Sequence, residues 1–461
     1  MKKRPNILFL MSDEHRPDVT GYEGNTVIRT PVLDELARTG VVFRNAYTPS
    51  PICIPGRQCM MSGQLPRTCG CEHFGQDLSP GSMTFARRFS QYAYNTVCAG
   101  KLHHTGSDQM QGWTERIVPD AHITPKYIEG AIKDEFDRYP TPPGVGKWGN
   151  QREVEEARGE SGPCQTRDQQ VTDASLDYLD RYFHDPMYQR PRAHQPLLFK
   201  LSLIQPHYPF FTDPERFQYY HDRAPVFLED PCNHPVLSLS QNNKPVDVTE
   251  AQIRNATAAY YGMIDQIDVH YGSVLDRLRS LGEDLDEWII VYTSDHGEML
   301  GEHGIWEKTR FYEASARVPL IIRWPKGFEG GRVIDANVNL CDLFATLCDL
   351  AGLETPDGLD SRSLVPLLQG DKSGWDNETI SQVRGAHLMI KKDALKYQYY
   401  GEDIPEVLFD LEADPKELEN HAEDPNYSEA MTAFRIRRGE LGFGPEADPD
   451  YRNAGYQKQK E

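Results

Sequence analysis

An α/β fold with a large, mostly parallel or mixed central sheet flanked by helices is predicted by three observations. Short, continuous apolar runs recur along the chain, helical patterns with readable ends lie between them, and charged side chains gather where the runs stop. The runs fall at residues 6–12, 95–99, 197–203, 288–294 and 318–323. Strands that are apolar throughout suit a sheet covered on both faces, which requires helices as the connections. One such helix opens at Thr30-Pro31, carries Leu33, Leu36 and Ala37 on one face and stops at Gly40. A second carries Ile264, Ile267, Tyr271, Val274 and Leu278 at three-four spacing. Residues 107–195 are polar, rich in Pro and Gly and weakly periodic, and read as excursions over the rim of the sheet that shape specificity. Near residues 370–377 the composition turns to Gly, Asp, Lys and Ser, dividing a catalytic domain, 1–370, from a smaller C-terminal α+β subdomain, 371–461. Antiparallel strands are expected there at 386–391 and 396–400. No internal repeat is visible.

With 461 residues the chain exceeds the roughly 250–300 beyond which one core stops growing, so a second, smaller unit is expected. No apolar run approaches the ~18 residues that span a bilayer, which argues against a membrane protein. A formal charge of −21 opposes nucleic-acid binding, because phosphate recognition needs a basic surface. Lys2, Lys3 and Arg4 look like the start of a signal peptide, yet the apolar stretch 7–11 is too short before Ser12-Asp13-Glu14. A strand and a cytoplasmic location are expected instead. Nine cysteines scattered through a long chain fit a reducing compartment better than a disulfide framework. Cys69-Gly70-Cys71 is too tightly spaced for a zinc knuckle and reads as structural thiols.

In open α/β sheets, ligands bind beyond the carboxyl ends of the strands. The first run ends in Asp13-Glu14, the second in Gly100-Lys101-Leu102-His103, and the run 288–294 in Asp295-His296-Gly297. Asp13, Glu14 and Asp295 offer hard oxygen donors and His296 a nitrogen, a set able to hold a divalent cation. The oxygen majority favours Ca²⁺, with Mn²⁺ or Zn²⁺ left open by the imidazole.

Residues 53–63, Cys53-Ile54-Pro55-Gly56-Arg57-Gln58-Cys59-Met60-Met61-Ser62-Gly63, resemble the sulfatase signature Cys-x-Pro-x-Arg-x-x-x-[Leu/Met]-[Thr/Ser]-Gly. The resemblance implies an alkaline-phosphatase-like fold and a maturation enzyme that oxidises Cys53 to formylglycine. It also implies metal ligation by Asp13, Glu14, matured Cys53, Asp295 and His296, although Glu14 stands where many members have a second Asp and the choline-sulfatase branch a Gln. The run from Gly100 to Arg116 is similar to the choline-sulfatase-like segment, which places Lys101 and His103 in the site. The iduronate-type register would select His104 instead, and His103 is preferred. Gln205-Pro206-His207-Tyr208-Pro209-Phe210 looks like the family's Pro-His-x-Pro-Phe, and Leu300-Gly301-Glu302-His303-Gly304 through Lys308 like Leu-Gly-x-His-Gly-x-x-x-Lys. Those matches nominate His207 and Lys308, with His303 left as a loop-structuring residue. A late match at 407–420 extends the resemblance over most of the chain.

The implied reaction is cleavage of a sulfate ester. Arg57, Lys101, Lys308 and a divalent cation outweigh the three carboxylates by about two charges, which suits an anionic group in a low-dielectric pocket. In this reading Arg57 and Lys101 hold the hydrated aldehyde and the sulfate, and His207 protonates the leaving alcohol. His103 deprotonates the second hydroxyl, and Lys308 neutralises sulfate charge. Phe210, Phe211, Phe217, Tyr219 and Tyr220 offer rings for a sugar or a quaternary ammonium. The expected substrate is a carbohydrate sulfate, with choline sulfate as the alternative ester. A phosphonate monoester or phosphodiester hydrolase and a non-catalytic binder of sulfated glycans are the competing functions. Oligomeric state is not readable, nor is any role for the tail from His421.

Overall fold

The computed structural model describes residues 4–104, 106–120, 145–146, 149–185, 187, 190–191, 194–228 and 246–445. Lys2, Lys3 and the tail end 446–461 lie outside the described residues. The central sheet has eight strands: β1 (Ile7–Asp13), β2 (Val41–Phe43), β3 (Asn95–Gly100), β4 (Glu115–Ile117), β5 (Leu197–Pro206), β6 (Ile289–Ser294), β7 (Leu320–Arg323) and β8 (Arg332–Ile334). Their order across the sheet is β8-β2-β7-β6-β1-β5-β3-β4. Strand β7 alone runs antiparallel, to β6 on one side and β2 on the other. The sheet is therefore mixed but mostly parallel, as the apolar runs predicted.

Every residue of β1 is buried, and its side chains alternate between two cores. Ile7, Phe9 and Met11 face Phe85, Phe89 and Phe344 on one side. Leu8 and Leu10 face Tyr178, Tyr271 and Val274 on the other. Burial on both faces follows from period-two alternation within an all-apolar strand.

Helices that bear on the site and its core include α1 (Pro31–Thr39), α2 (Cys53–Ser62), α3 (Pro163–Phe183), α4 (Glu250–Ser280) and α5 (Asp342–Ala351). Helix α1 starts with Pro at its first turn, as read from the sequence, and its Val32 and Leu33 amides donate to Asp268 of α4. Helix α4 begins with a capping box in which the Thr249 hydroxyl accepts from Gln252 N. Helix α3 departs from expectation, because it lies inside the stretch read as rim excursions. Its 21 residues bury Val171, Tyr178, Leu179 and Phe183 against β5 and β3. Mostly polar residues between those positions masked the three-four pattern that was present.

The C-terminal sheet comprises β9 (Glu378–Val383), β10 (His387–Lys392), β11 (Leu395–Tyr399) and β12 (Val407–Asp410), all antiparallel neighbours. It shares a core with the larger unit: Val383, Met389, Tyr400, Val407 and Phe409 pack with Tyr47, Ile52 and Phe311. Lys396, fully buried, bridges Glu313 and Glu417 at 2.7 and 2.6 Å. Among the described residues no helix is long and apolar enough to cross a membrane.

His270 on α4 is 4% exposed, and burial, then nearby Arg216, lowers its pKa to about 4. A depressed histidine contributes stability that is complete above its unfolded pKa near 6.5 and is lost as pH falls toward 4, about 3 kcal/mol by linkage. Urea unfolding of wild type and His270→Gln across this window is expected to show a steeper acid loss in wild type; parallel curves would refute the assignment.

Candidate active site

Four adjacent parallel strands, β6, β1, β5 and β3, deliver their carboxyl ends to one place. β1 ends in Asp13, β3 leads into Lys101, β5 into His207, and β6 into Asp295 and His296. The chain must leave these strand ends in close quarters, which explains two glycines of the motifs. A Cβ on Gly100 would lie 2.0 Å from Ser202 O, and one on Gly297 2.0 Å from Ala314 O. No side chain fits at either.

Helix α2 brings the Cys53 motif to the same place, and each motif residue has a local reason. Cys53 is the first residue of the helix, so its side chain meets the strand ends beside the positive end of the helix dipole. Pro55 falls within the first turn, where its missing N–H has no intrahelical acceptor to lose. Gly56 presses on backbone, its would-be Cβ 2.8 Å from Ser50 O and 3.3 Å from Asp295 O. Gly63 ends the helix at φ 66°, its N–H donating to Cys59 O, while the Ser62 hydroxyl donates to the same carbonyl. All ten helical residues are buried.

Arg57 organises the carboxylates. Its Nε donates to Asp295 Oδ2 and its Nη2 to Asp13 Oδ2, both at 2.7 Å, while Nη1 donates to Lys101 O and Ser202 Oγ. This differs from the expected hold on the hydrated aldehyde and sulfate. With all these donors committed to protein, Arg57 is a positioning residue. Lys101 Nζ lies 2.8 Å from Asp13 Oδ2. Burial by itself would raise Asp13, yet Lys101 and then Arg57 hold its carboxyl well below the usual range. The pairing in turn raises Lys101 against burial, so both groups stay charged.

The expected metal ligands divide into two groups that share Asp13. Donor atoms of Asp13, Cys53, Asp295 and His296 lie mutually within 4.8 Å, all four residues buried, and Asp13, Glu14 and His207 form the other set. In the first set Cys53 Sγ is 3.0 Å from His296 Nε2 and 3.7 Å from Asp13 Oδ1. His296 Nδ1 donates to Gly297 O, which leaves the Nε2 lone pair facing the cluster. Two carboxylates and an imidazole with its lone pair turned inward fit a divalent cation. Burial first, and then Asp13, push the Cys53 thiol far up, so the unmodified side chain is a neutral thiol.

The Glu14 amide donates to Asp295 Oδ1 at 3.2 Å, while its side chain receives Lys308 Nζ on Oε2 at 2.7 Å. Lys308 Nζ also donates to His207 Nε2 at 2.9 Å and sits 4.6 Å above the Tyr208 ring. His207 Nδ1 donates to Tyr208 O, and burial, then Lys308, keep the ring neutral. Burial raises the Glu14 carboxyl well above its usual range despite Lys308, with Glu298 adding to the rise.

His103 has Lys101, Arg57, Asp13 and the His207 ring as its electrostatic neighbours, whereas His104 has Arg116 and Lys200 and, more weakly, Arg57. Two residues at the site adopt left-handed backbone, Glu14 at φ 68° and His103 at φ 55°. Each is held there: the Tyr260 hydroxyl donates to Glu14 O, and Gln58 Nε2 to His103 O. Strain of this kind persists where the surroundings over-determine it.

Sequence reading missed Ser202, which accepts from Arg57, and Asp168, whose carboxylate accepts the Ile204 and Gln205 amides at the end of β5. Neither carries a local signal beyond its strand or helix. The aromatic set expected to meet substrate packs elsewhere. Phe210 is buried against Tyr260 and Trp306, Phe211 lies under Arg158, and Phe217 covers Gly159. Tyr219 lies under Arg29, and Tyr220 donates to Asp265. Two rings lie at the site: Tyr208 against His207 at 4.0 Å between centroids, and Phe74, 45% exposed, in a T-shaped pair with His103.

A mixed sheet that gathers carboxylates, an imidazole and buried cations at its carboxyl edge defines an alkaline-phosphatase-like hydrolase for anionic esters. The sulfatase family model matches residues 5–353, and the C-terminal model of N-sulphoglucosamine sulphohydrolase matches residues 301–439. The chain belongs to the sulfatase family and is a sulfuric ester hydrolase. It is 32% identical to choline-sulfatase of Rhizobium meliloti (strain 1021), over 94% of this chain and 86% of the relative. The fold is shared with phosphonate monoester hydrolase of Agrobacterium radiobacter, at TM-score 0.77, 23% identity and 95% coverage of both chains. It is shared too with a protein solved with its substrate D-glucosamine-2-N,6-O-disulfate, at TM-score 0.75, 20% identity and 99% coverage of both.

Gly56→Ala is expected to lower stability by about 1–3 kcal/mol, because the Ser50 and Asp295 carbonyls are backbone and cannot yield freely. Denaturant unfolding measures it, and an unchanged midpoint would show that the start of α2 tolerates a shift.

Proposed function

We propose that the protein hydrolyses a sulfate monoester, with formylglycine made from Cys53 as nucleophile, and that the physiological ester is a carbohydrate sulfate. The observation that carries the reading is the seat of Cys53 at the first turn of α2, with its Sγ among Asp13, Asp295 and His296. In the matured protein an oxygen of the hydrated aldehyde takes the place of this sulfur. That group supplies a geminal diol that attacks sulfur through one hydroxyl and expels sulfate through the other. A divalent cation held by Asp13, Asp295, His296 and residue 53, Ca²⁺ on donor type, supplies charge neutralisation and acidifies the diol.

The chain's own residues supply the remainder. Arg57 holds the Asp13 and Asp295 carboxylates convergent. Lys101 and Lys308 offer ammonium groups to sulfate oxygens, and Lys308 is held between Glu14 and His207. Burial first, then Lys308 and Lys101, depress His207, and bound sulfate offsets the two ammonium charges, which favours a proton on the ring for the leaving alcohol. His103, neutral through burial and then Lys101, is available as a base. A separate maturation enzyme installs the aldehyde in this reading, as membership of the sulfatase family implies.

Carbohydrate is preferred over choline because the aromatic set able to cage a quaternary ammonium is engaged by other side chains: Phe210 and Tyr220 are buried, Phe217 and Tyr219 pack against their cluster, and Phe211 lies under Arg158. Phe74, 45% exposed and in a T-shaped pair with His103, instead places a ring beside the site that suits a sugar. The likeness in fold to the protein solved with a glucosamine disulfate supports the same choice.

Protein co-expressed with a maturation enzyme is expected to show an aldehyde at residue 53 by peptide mass spectrometry. Cys53→Ala should abolish turnover, and a persistently unmodified thiol would favour a non-catalytic glycan binder. Rates on sulfated mono- and oligosaccharides, choline sulfate and an aryl phosphonate monoester then rank the substrates, and faster phosphonate cleavage would overturn the sulfatase reading.

His207→Ala should slow esters of poorly acidic alcohols by about 10²–10⁴-fold and nitrophenyl sulfate far less, because only the former need protonation on departure. Equal losses on both would remove His207 as the acid.

A further inference from the structure

Helix α2 carries a second cysteine beyond its motif position. Cys59 is fully buried, and its Sγ lies 3.6 Å from the Sγ of Cys69, the last residue of the short helix Pro66–Cys69. Cys71, also fully buried, brings a third thiol to the same sulfur after Gly70, whose φ of 79° turns the chain back. Of the three, Cys69 alone keeps partial exposure. Cys69 Sγ also lies 3.6 Å from Pro66 O, and the hydrogen bonds from Cys59 and Cys71 lower the Cys69 thiol below the usual thiol range, while burial raises Cys59 and the bond to Cys69 raises Cys71. The arrangement is three thiols in contact, of which Cys69 gives up its proton most readily. A thiolate is the reacting form in disulfide exchange. Cys341 is placed differently, its thiol donating to the Cys59 and Gln64 carbonyls. The expectation that Cys69 and Cys71 are merely structural thiols is therefore too narrow.

We propose that Cys59 and Cys69 form a reversible thiol–disulfide site on the helix of the Cys53 motif, entered through Cys69 by a low-molecular-weight disulfide. In the first step the Cys69 thiolate attacks one sulfur of the external disulfide, forming a mixed disulfide and releasing one thiolate. In the second, Cys59 loses its proton to that thiolate and attacks the Cys69 sulfur, expelling the second small thiol. Two protein thiols are oxidised and one external disulfide is reduced to two thiols, so atoms and electrons balance. Closing the bond requires the 3.6 Å contact to shorten to about 2.05 Å, a local movement at the end of two helices. Cys71, one residue removed from Cys69, would close a much smaller ring, and its part is to donate to the Cys69 sulfur. The bond would tie α2 to the loop that carries Phe74 against His103, linking the nucleophile helix to the rim of the site.

The test exposes the folded protein to glutathione disulfide, quenches with an alkylating reagent, and maps peptides by mass spectrometry before and after reduction. A Cys59–Cys69 link that disappears on reduction is expected in wild type and in Cys71→Ala, with slower formation in the variant. Cys59→Ser should stop at a glutathione adduct on Cys69, and Cys69→Ala should leave Cys59 alkylated. A Cys69–Cys71 link, or full alkylation of all three thiols after exposure, would overturn the proposal. Because the readout is the linkage itself, it is independent of the reaction at Cys53.

Discussion

The structure depends on one buried electrostatic constraint, the Arg57 guanidinium shared between Asp13 and Asp295. These carboxylates come from neighbouring strands, both are fully buried, and each receives Arg57 at 2.7 Å. Two anions this close in a low-dielectric interior would repel or protonate without a cation between them. The guanidinium is suited to the task because its planar fork reaches both at once and stays charged when buried. Lys101 reinforces it from the next strand but one. Everything else at the site is arranged around carboxylates that this pairing holds together.

That constraint explains why the motif sits on a helix and why the helix is buried throughout. Cys53 and Arg57 are four residues apart, so one turn of α2 presents both to the strand ends. Close approach demands Gly56 against the Asp295 carbonyl, and Gly63 stops the helix before it meets Phe344. The same geometry carries Cys59 onward to Cys69, so a feature built for the site also creates the thiol cluster beyond it.

A second, separable network governs protons. Glu14, Lys308 and His207 form a chain in which the ammonium donates to a carboxylate and to an imidazole. Its charges balance differently from those of the cation site, and the two networks touch only through Asp13 and Glu14. An anion placed between Lys101 and Lys308 would alter both networks together, which couples binding of charge to the protonation of His207.

Periodicity and spacing by themselves determined a large part of this protein. Continuous apolar runs have few physical outcomes, so β1, β3, β5 and β6 and the helix face of Ile264, Ile267 and Tyr271 were legible, as were the chemical residues at the strand ends. The motif around Cys53 named its chemistry because its residues act within one helical turn. Only tertiary structure decided which long-range partners meet. It gave Arg57 to two carboxylates, paired the Glu14 side chain with Lys308, set His103 near Lys101 while His104 faces Arg116, and engaged Phe210 and its neighbours with other side chains. Helix α3 escaped notice because its buried positions are diluted by polar ones, and Ser202 and Asp168 because nothing nearby in the chain marks them. Distances between residues far apart in sequence follow from strand order and packing, and local pattern holds no record of either.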